Sequence, residues 1–130
     1  MKGGKWTYGW VFIDSQGCVP IPPQAWVEYD FSVEDEYLVF PGSRTSGGFS
    51  ITTRRRLKHR IPMPVMTGVV FEGQYCLRFS LPLLAQLKVN IGDRLLVVRG
   101  SGFALGFVKQ GRIVDEAEKH TDLPVFQCGM

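Results

Sequence analysis

Sliding the chain against itself by 58 residues lays residues 11–49 on 69–107 without a gap, and ten of the 39 pairs are identical. They are Val11/Val69, Gln16/Gln74, Cys18/Cys76, Asp35/Asp93, Leu38/Leu96, Val39/Val97, Gly42/Gly100, Ser43/Ser101, Gly48/Gly106 and Phe49/Phe107. Apolar character is also kept at Ile13/Phe71, Val19/Leu77, Ile21/Phe79, Tyr29/Leu87, Phe31/Val89, Val33/Ile91 and Phe40/Val98. Two copies that share an apolar pattern share a core, so the chain reads as a tandem duplication.

Each copy reads strand, turn, strand, short helix, strand, turn, strand. Residues 6–13 and 65–71 are rich in β-branched and aromatic side chains, 14–17 and 72–74 supply turns, and 18–21 and 75–79 return, which predicts two hairpins. Pro22-Pro23 and Ser80-Leu81-Pro82 open short helices, because proline suits the first helical turn and Ser80 can cap it. Third strands are expected at 36–40 and 94–98 and fourth strands at 47–53 and 104–109, with a last short helix over 112–120. Four short strands and one stubby helix leave open edges, so one unit cannot close around a core, whereas two can. The expectation is mainly β: one domain over 1–130, a pseudo-twofold barrel of two ββαββ units. Repeat 1 covers about 6–53, a basic linker 54–64, repeat 2 about 65–110, and a helix and tail 111–130. Such a chain carries both halves of its core, so a homodimer, where one forms, should be weak and use the barrel exterior or the tail.

Charge is informative by its placement. Lys and Arg number 15 against 12 Asp and Glu, giving +3. Residues 54–60 hold Arg54, Arg55, Arg56, Lys58 and Arg60 and no acid; removing those five charges from +3 leaves −2. Three consecutive arginines repel each other unless something anionic neutralises them, which points to a polyanion, against the plainer reading of a solvated linker.

The remaining features exclude more than they assign. Three cysteines at wide spacing give neither a disulfide framework nor a CxxC site, so Cys18 and Cys76 are expected as buried apolar side chains in a reducing cytoplasm. His59 and His120 cannot complete a metal site with them, and nothing places a base beside a thiol, so no metal, cofactor or enzymatic activity is expected. Asp35 and Asp93 enter strands and read as turn residues. The tryptophans read as core. No apolar run approaches the roughly 20 residues of a spanning helix, and the basic opening residues 1–5 are followed by no apolar leader core, so neither a membrane nor a secretory address is expected. The loop 42–48, Gly-Ser-Arg-Thr-Ser-Gly-Gly, reads first as a tight turn with positive φ and second as an anion nest to which Arg44 adds a fork.

In the first copy, Asp14-x-x-Gly17-x-Val19-x-Ile21-Pro22 is followed at thirteen residues by Asp35 and an apolar strand; in the second, Leu87-x-Val89-x-Ile91-Gly92-Asp93 leads into Arg94-Leu95-Leu96-Val97-Val98. This resembles the AbrB/MazE/SpoVT swapped-hairpin family over about 11–51 and 69–109. The resemblance implies an interleaved eight-stranded β-barrel and, in most members, a transcription regulator or antitoxin that binds DNA through basic residues near the hairpin and helix. Here those positions are Cys18, Cys76, Trp26, Val27, Leu84 and Ala85. Contact with duplex DNA is therefore expected from Arg54, Arg55, Arg56, Lys58 and Arg60, with Arg44, Arg99, Arg78 and Arg94 as helpers. The alternative is a module that binds no DNA, either a protein-interaction scaffold or a binder of a small anion at the 42–48 loop. An antitoxin comes third, since only about ten residues follow His120.

Overall fold

The computed structural model describes residues 7–57, 65–100 and 104–128. The first copy contains β1 (Thr7–Phe12), β2 (Cys18–Pro20), α1 (Pro23–Glu28), β3 (Tyr37–Pro41), β4 (Phe49–Thr53) and α2 (Arg54–Leu57). The second contains β5 (Val69–Gly73), β6 (Cys76–Phe79), α3 (Leu81–Leu87), β7 (Arg94–Arg99), β8 (Leu105–Val108) and α4 (Arg112–Ala117), with a short β9 (Val125–Phe126) after it. The pairs β2/β6, α1/α3 and α2/α4 begin 58 residues apart. The repeat thus runs past the fourth strand, and the segment expected as a linker begins with a helical turn that has a counterpart in α4.

Local chemistry explains the elements. Pro23 starts α1, and the Ser80 hydroxyl accepts from the Leu83 N–H at 3.3 Å to cap α3. Both helices end alike: Asp30 (φ 55°) and Lys88 (φ 59°) take the left-handed conformation, and the N–H groups of Phe31 and Val89 reach back to the carbonyls of Trp26 and Leu84. The Asp35 carboxylate then accepts from Ser32 N–H at 2.9 Å and that of Asp93 from Asn90 N–H at 2.8 Å, the turn role their positions predict.

Strands of the two copies pair with each other. β1 runs antiparallel to β7, β2 to β6 and β4 to β8. Val19 lies opposite Leu77, and Phe49 opposite Phe107. Both pairs join a residue to its own repeat counterpart, which in an antiparallel ladder happens only where a local twofold axis passes between them. The side chains around these pairs form the main core, from Val11 and Ile21 to Leu95 and Leu105. Two smaller clusters lie on the outer faces at equivalent places: Leu57 covers Leu38 and Phe40, and Val114 and Ala117 cover Leu96, Val98 and Trp10.

The fold is mainly β, but its sheets do not close into one barrel. One has the order β3-β4-β8-β7-β1-β9 and the other β2-β6-β5. The counterpart of the β1·β7 ladder, between β5 and β3, shrinks to the single bridge Val39↔Met66. At the other edge, β9 pairs in parallel with β1, with Trp10 N–H donating to Pro124 O at 2.9 Å. Gly9 permits this approach, since a Cβ there would stand 2.4 Å from Pro124 O.

The tail also corrects the cysteine reading. Cys76 is disulfide-bonded to Cys128, with Cα atoms 5.7 Å apart, so only Cys18 is a free buried thiol. An odd cysteine count hid a pair that forms because the tail crosses from the edge of the large sheet to the middle strand of the small one. The cysteines therefore give no argument for a reducing compartment. No helix among the described residues is long and apolar enough to cross a membrane.

Candidate anion-binding surfaces

The arginine run folds back on its own chain. In the β3·β4 hairpin Tyr37 pairs with Thr53, so the residues just outside, Glu36 with Arg54 and Asp35 with Arg55, meet as opposite charges. Arg54 donates from Nε to Glu36 Oε1 at 2.9 Å and from Nη2 to Oε2 at 3.2 Å, and this fork holds the Glu36 carboxyl below its usual range. Arg55 donates to both Asp35 carboxylate oxygens, at 3.2 and 3.0 Å, to Asp30 Oδ2 at 3.1 Å and to the Asp30 carbonyl at 2.7 Å. Arg56 donates to the Tyr29 carbonyl at 3.2 Å, and its guanidinium lies 5.7 Å from the Tyr29 ring centre. Arg54 and Arg55 are thus neutralised by carboxylates of the same chain, and Arg56 meets a backbone carbonyl and a ring.

Arg99 joins this group from the second copy. It reaches Glu28 Oε1 at 2.6 Å and lies over the Tyr8 ring, while the Tyr8 hydroxyl donates to the same Glu28 oxygen. The Tyr8 hydrogen bond, then Arg99, holds Glu28 below its usual range, and burial is the main cause that pushes the Tyr8 hydroxyl up to about 12. Arg55, Arg56 and Arg99 therefore meet at the C-terminal end of α1, where the helix dipole also favours cations, while Arg54 lies on Glu36 at the entry to β3. The expected helpers Arg78 and Arg94 stand elsewhere: Arg78 pairs with Glu72 at 3.6 Å, and Arg94 pairs with Glu118 and lies 3.9 Å from the Trp10 ring centre. Lys58 and Arg60 lie outside the described residues.

Arg44 belongs to a second surface. The 42–48 loop faces the C-terminal end of α3 and the residues after β8, forming a cleft of about 530 Å³ whose cationic side chains are Arg44, Lys88 and Lys109. Lys88 and Lys109 are not conspicuous in the sequence, since neither lies in a basic run. The signal that could have found them is a change of charge between repeat counterparts: Lys88 stands where the first copy has Asp30, and Lys109 where it has Ile51.

Other candidates recede. Burial pushes the Cys18 thiol up, away from nucleophilic use, and no group of three or more His, Cys, Asp or Glu among the described residues could hold a metal ion. Trp26 packs against Phe31, Phe71 and Tyr75 at ring-centre distances of 5.7, 5.5 and 5.5 Å. No protein-family model, no curated protein and no solved structure matches the chain.

Proposed function

We propose that the chain is a DNA-binding regulator of the AbrB-like type, acting in the cytoplasm, in which one polypeptide supplies both halves of a swapped-hairpin barrel that is open between β3 and β5. The observation that carries this reading is the gathering of Arg55, Arg56 and Arg99 around the end of α1, next to Arg54 in the chain, with the side chains of Arg54 and Arg55 55% and 51% exposed. Their ion pairs do not bar phosphate. The Arg54–Glu36 and Arg55–Asp30 pairs are exposed on both sides, and such pairs contribute about 0–1 kcal/mol each, so exchanging those carboxylates for a duplex phosphate is nearly neutral, and counterion release then favours the exchange. Because the carboxylates must be displaced, the salt slope should be shallower than the roughly −4.5 of five unencumbered phosphate contacts.

The test is fluorescence anisotropy with several duplexes at low and moderate salt. Substituting Arg54, Arg55 and Arg56 together by alanine should weaken binding about equally across sequences, because phosphate contacts position without specifying. A wild-type protein that binds none of the duplexes at low salt would overturn the reading.

A further inference from the structure

The two copies have diverged in charge at the equivalent ends of α1 and α3. At the end of α1 the first copy has Glu28 and Asp30, and these are met by Arg99 and Arg55. At the end of α3 the second copy has Gln86 and Lys88 instead, and the loop facing them carries Arg44 where its counterpart is Gly102. Lys109 adds a third cation in place of Ile51. A patch that is internally neutralised in one half has become a cationic cleft in the other.

This cleft is left with unspent charge. Among the described residues neither Arg44 nor Lys88 makes an ion pair; Lys109 alone is partly balanced, by Asp93 at 3.2 Å, and also donates to the Lys88 carbonyl at 3.4 Å. Three cations held close repel one another, a cost that an anion between them removes. The loop is fixed before any ligand arrives. The Ser43 hydroxyl lies 2.7 Å from that of Ser46 and 3.2 Å from that of Thr45, and Gly42 N–H donates to Gly48 O at 3.0 Å. Gly48 (φ 71°) has no room for a side chain, as a Cβ would lie 1.9 Å from Phe107 O. A preset loop lowers the ordering cost of binding.

We propose that this cleft binds a small phosphorylated ligand, with the Arg44 guanidinium and the Lys88 ammonium taking the phosphate oxygens, Lys109 adding charge from the wall, and the amides of Gln86 and Gln110 contacting the remainder. Its size is that of an ordinary small-molecule site, and its lining suits a compact polyanion better than an apolar one. The site is separate from the arginines around α1, so it does not rest on the DNA-binding reading.

The experiment is a titration of the full chain with sodium pyrophosphate, and in parallel with inorganic phosphate, at constant ionic strength, followed by amide chemical shifts. Saturable shifts confined to 43–48, 86–88 and 109–110 are expected. The double variant Arg44→Ala/Lys88→Ala should weaken pyrophosphate binding at least about tenfold with an unchanged melting temperature, since both side chains are at the surface. The Arg54/Arg55/Arg56 triple variant should bind pyrophosphate as the wild type does, which separates this site from the other. Absence of saturation up to about 10 mM pyrophosphate, or equal binding by the double variant, would overturn the proposal. So would a double variant that loses duplex DNA binding while the wild type ignores pyrophosphate, because the cleft would then be part of a DNA surface.

Discussion

Phe49 and Phe107 lie opposite each other in the β4·β8 ladder with ring centres 4.9 Å apart and planes inclined by 19°, and each is the other's repeat counterpart. The pseudo-twofold axis passes between them, so one packing decision serves both halves of the core. Symmetry fails one shell further out. Phe79 also packs on Phe49 at 4.9 Å, whereas the residue equivalent to Phe79 in the other copy is Ile21.

That asymmetry gives an ordered prediction. Either phenylalanine replaced by alanine should cost about 3–5 kcal/mol, because both are almost fully buried. Phe49→Leu should cost more than Phe107→Leu by about 0.5–1.5 kcal/mol, since it breaks two aromatic contacts rather than one. Urea unfolding of the two variants checks the order, and a double-mutant cycle should show coupling between the rings. Equal costs with no coupling would mean that the stack does not hold the halves together.

The pH dependence follows from Glu28 and Tyr8. Glu28 has a lowered pKa in the folded chain, chiefly through the Tyr8 hydroxyl and then Arg99. Its contribution is therefore fully present above the unfolded glutamate value of about 4.3 and disappears as pH falls through the lower folded value. The melting-temperature gap between wild type and Glu28→Gln should be constant near neutral pH and close in acid. Tyr8 works the other way. Its folded value of about 12 exceeds the unfolded value near 10, so its contribution holds below about pH 10 and is lost as pH rises toward 12. Ultraviolet absorbance of tyrosinate should show this hydroxyl titrating late; titration at the ordinary value would mean that it is neither buried nor bound to Glu28.

The order of strands and helices was legible because hairpin turns, helix-opening prolines and turn aspartates are local signals, repeated at 58 residues, and each copy corroborated the other. The opening between β3 and β5, where only Val39 and Met66 bridge, was not, because whether two distant strands pair leaves no local signal in either of them. The partners of Arg54 and Arg55 were closer to reach: counting outward from the 42–48 turn pairs Glu36 with Arg54 and Asp35 with Arg55. Taken as a run of like charges, the arginines suggested an external polyanion; taken as one side of a hairpin, they meet their own carboxylates. The disulfide was out of reach, since it depends on where the tail travels after α4.

The tail is itself open to test. Cys76 and Cys128 are 52 residues apart in sequence, and closing a loop of that length stabilises a chain by about 2–4 kcal/mol in the usual case. Cys128→Ser, or reduction of the wild type, should lower stability by that amount. It should also raise hydrogen exchange at the Trp10 amide, which donates to Pro124, well before the amides of β7 and β8 respond. A Cys128→Ser variant as stable as wild type, with Trp10 equally protected, would show that β9 holds its place without the covalent tie.

The two on-axis pairs, Val19 with Leu77 and Phe49 with Phe107, are made within one chain, and so is the β1·β7 ladder that interleaves the copies. A duplex of separate single units would form these contacts only on association, and its stability would rise with concentration by mass action. Here no such term enters, because the residues that bury the core arrive on the same polypeptide. Thermal midpoints measured over a hundredfold dilution should therefore coincide, even under conditions where a weak homodimer forms through outer faces. A midpoint that falls steeply on dilution would mean that folding is coupled to association, and the pairing of the two copies would then have to occur between chains.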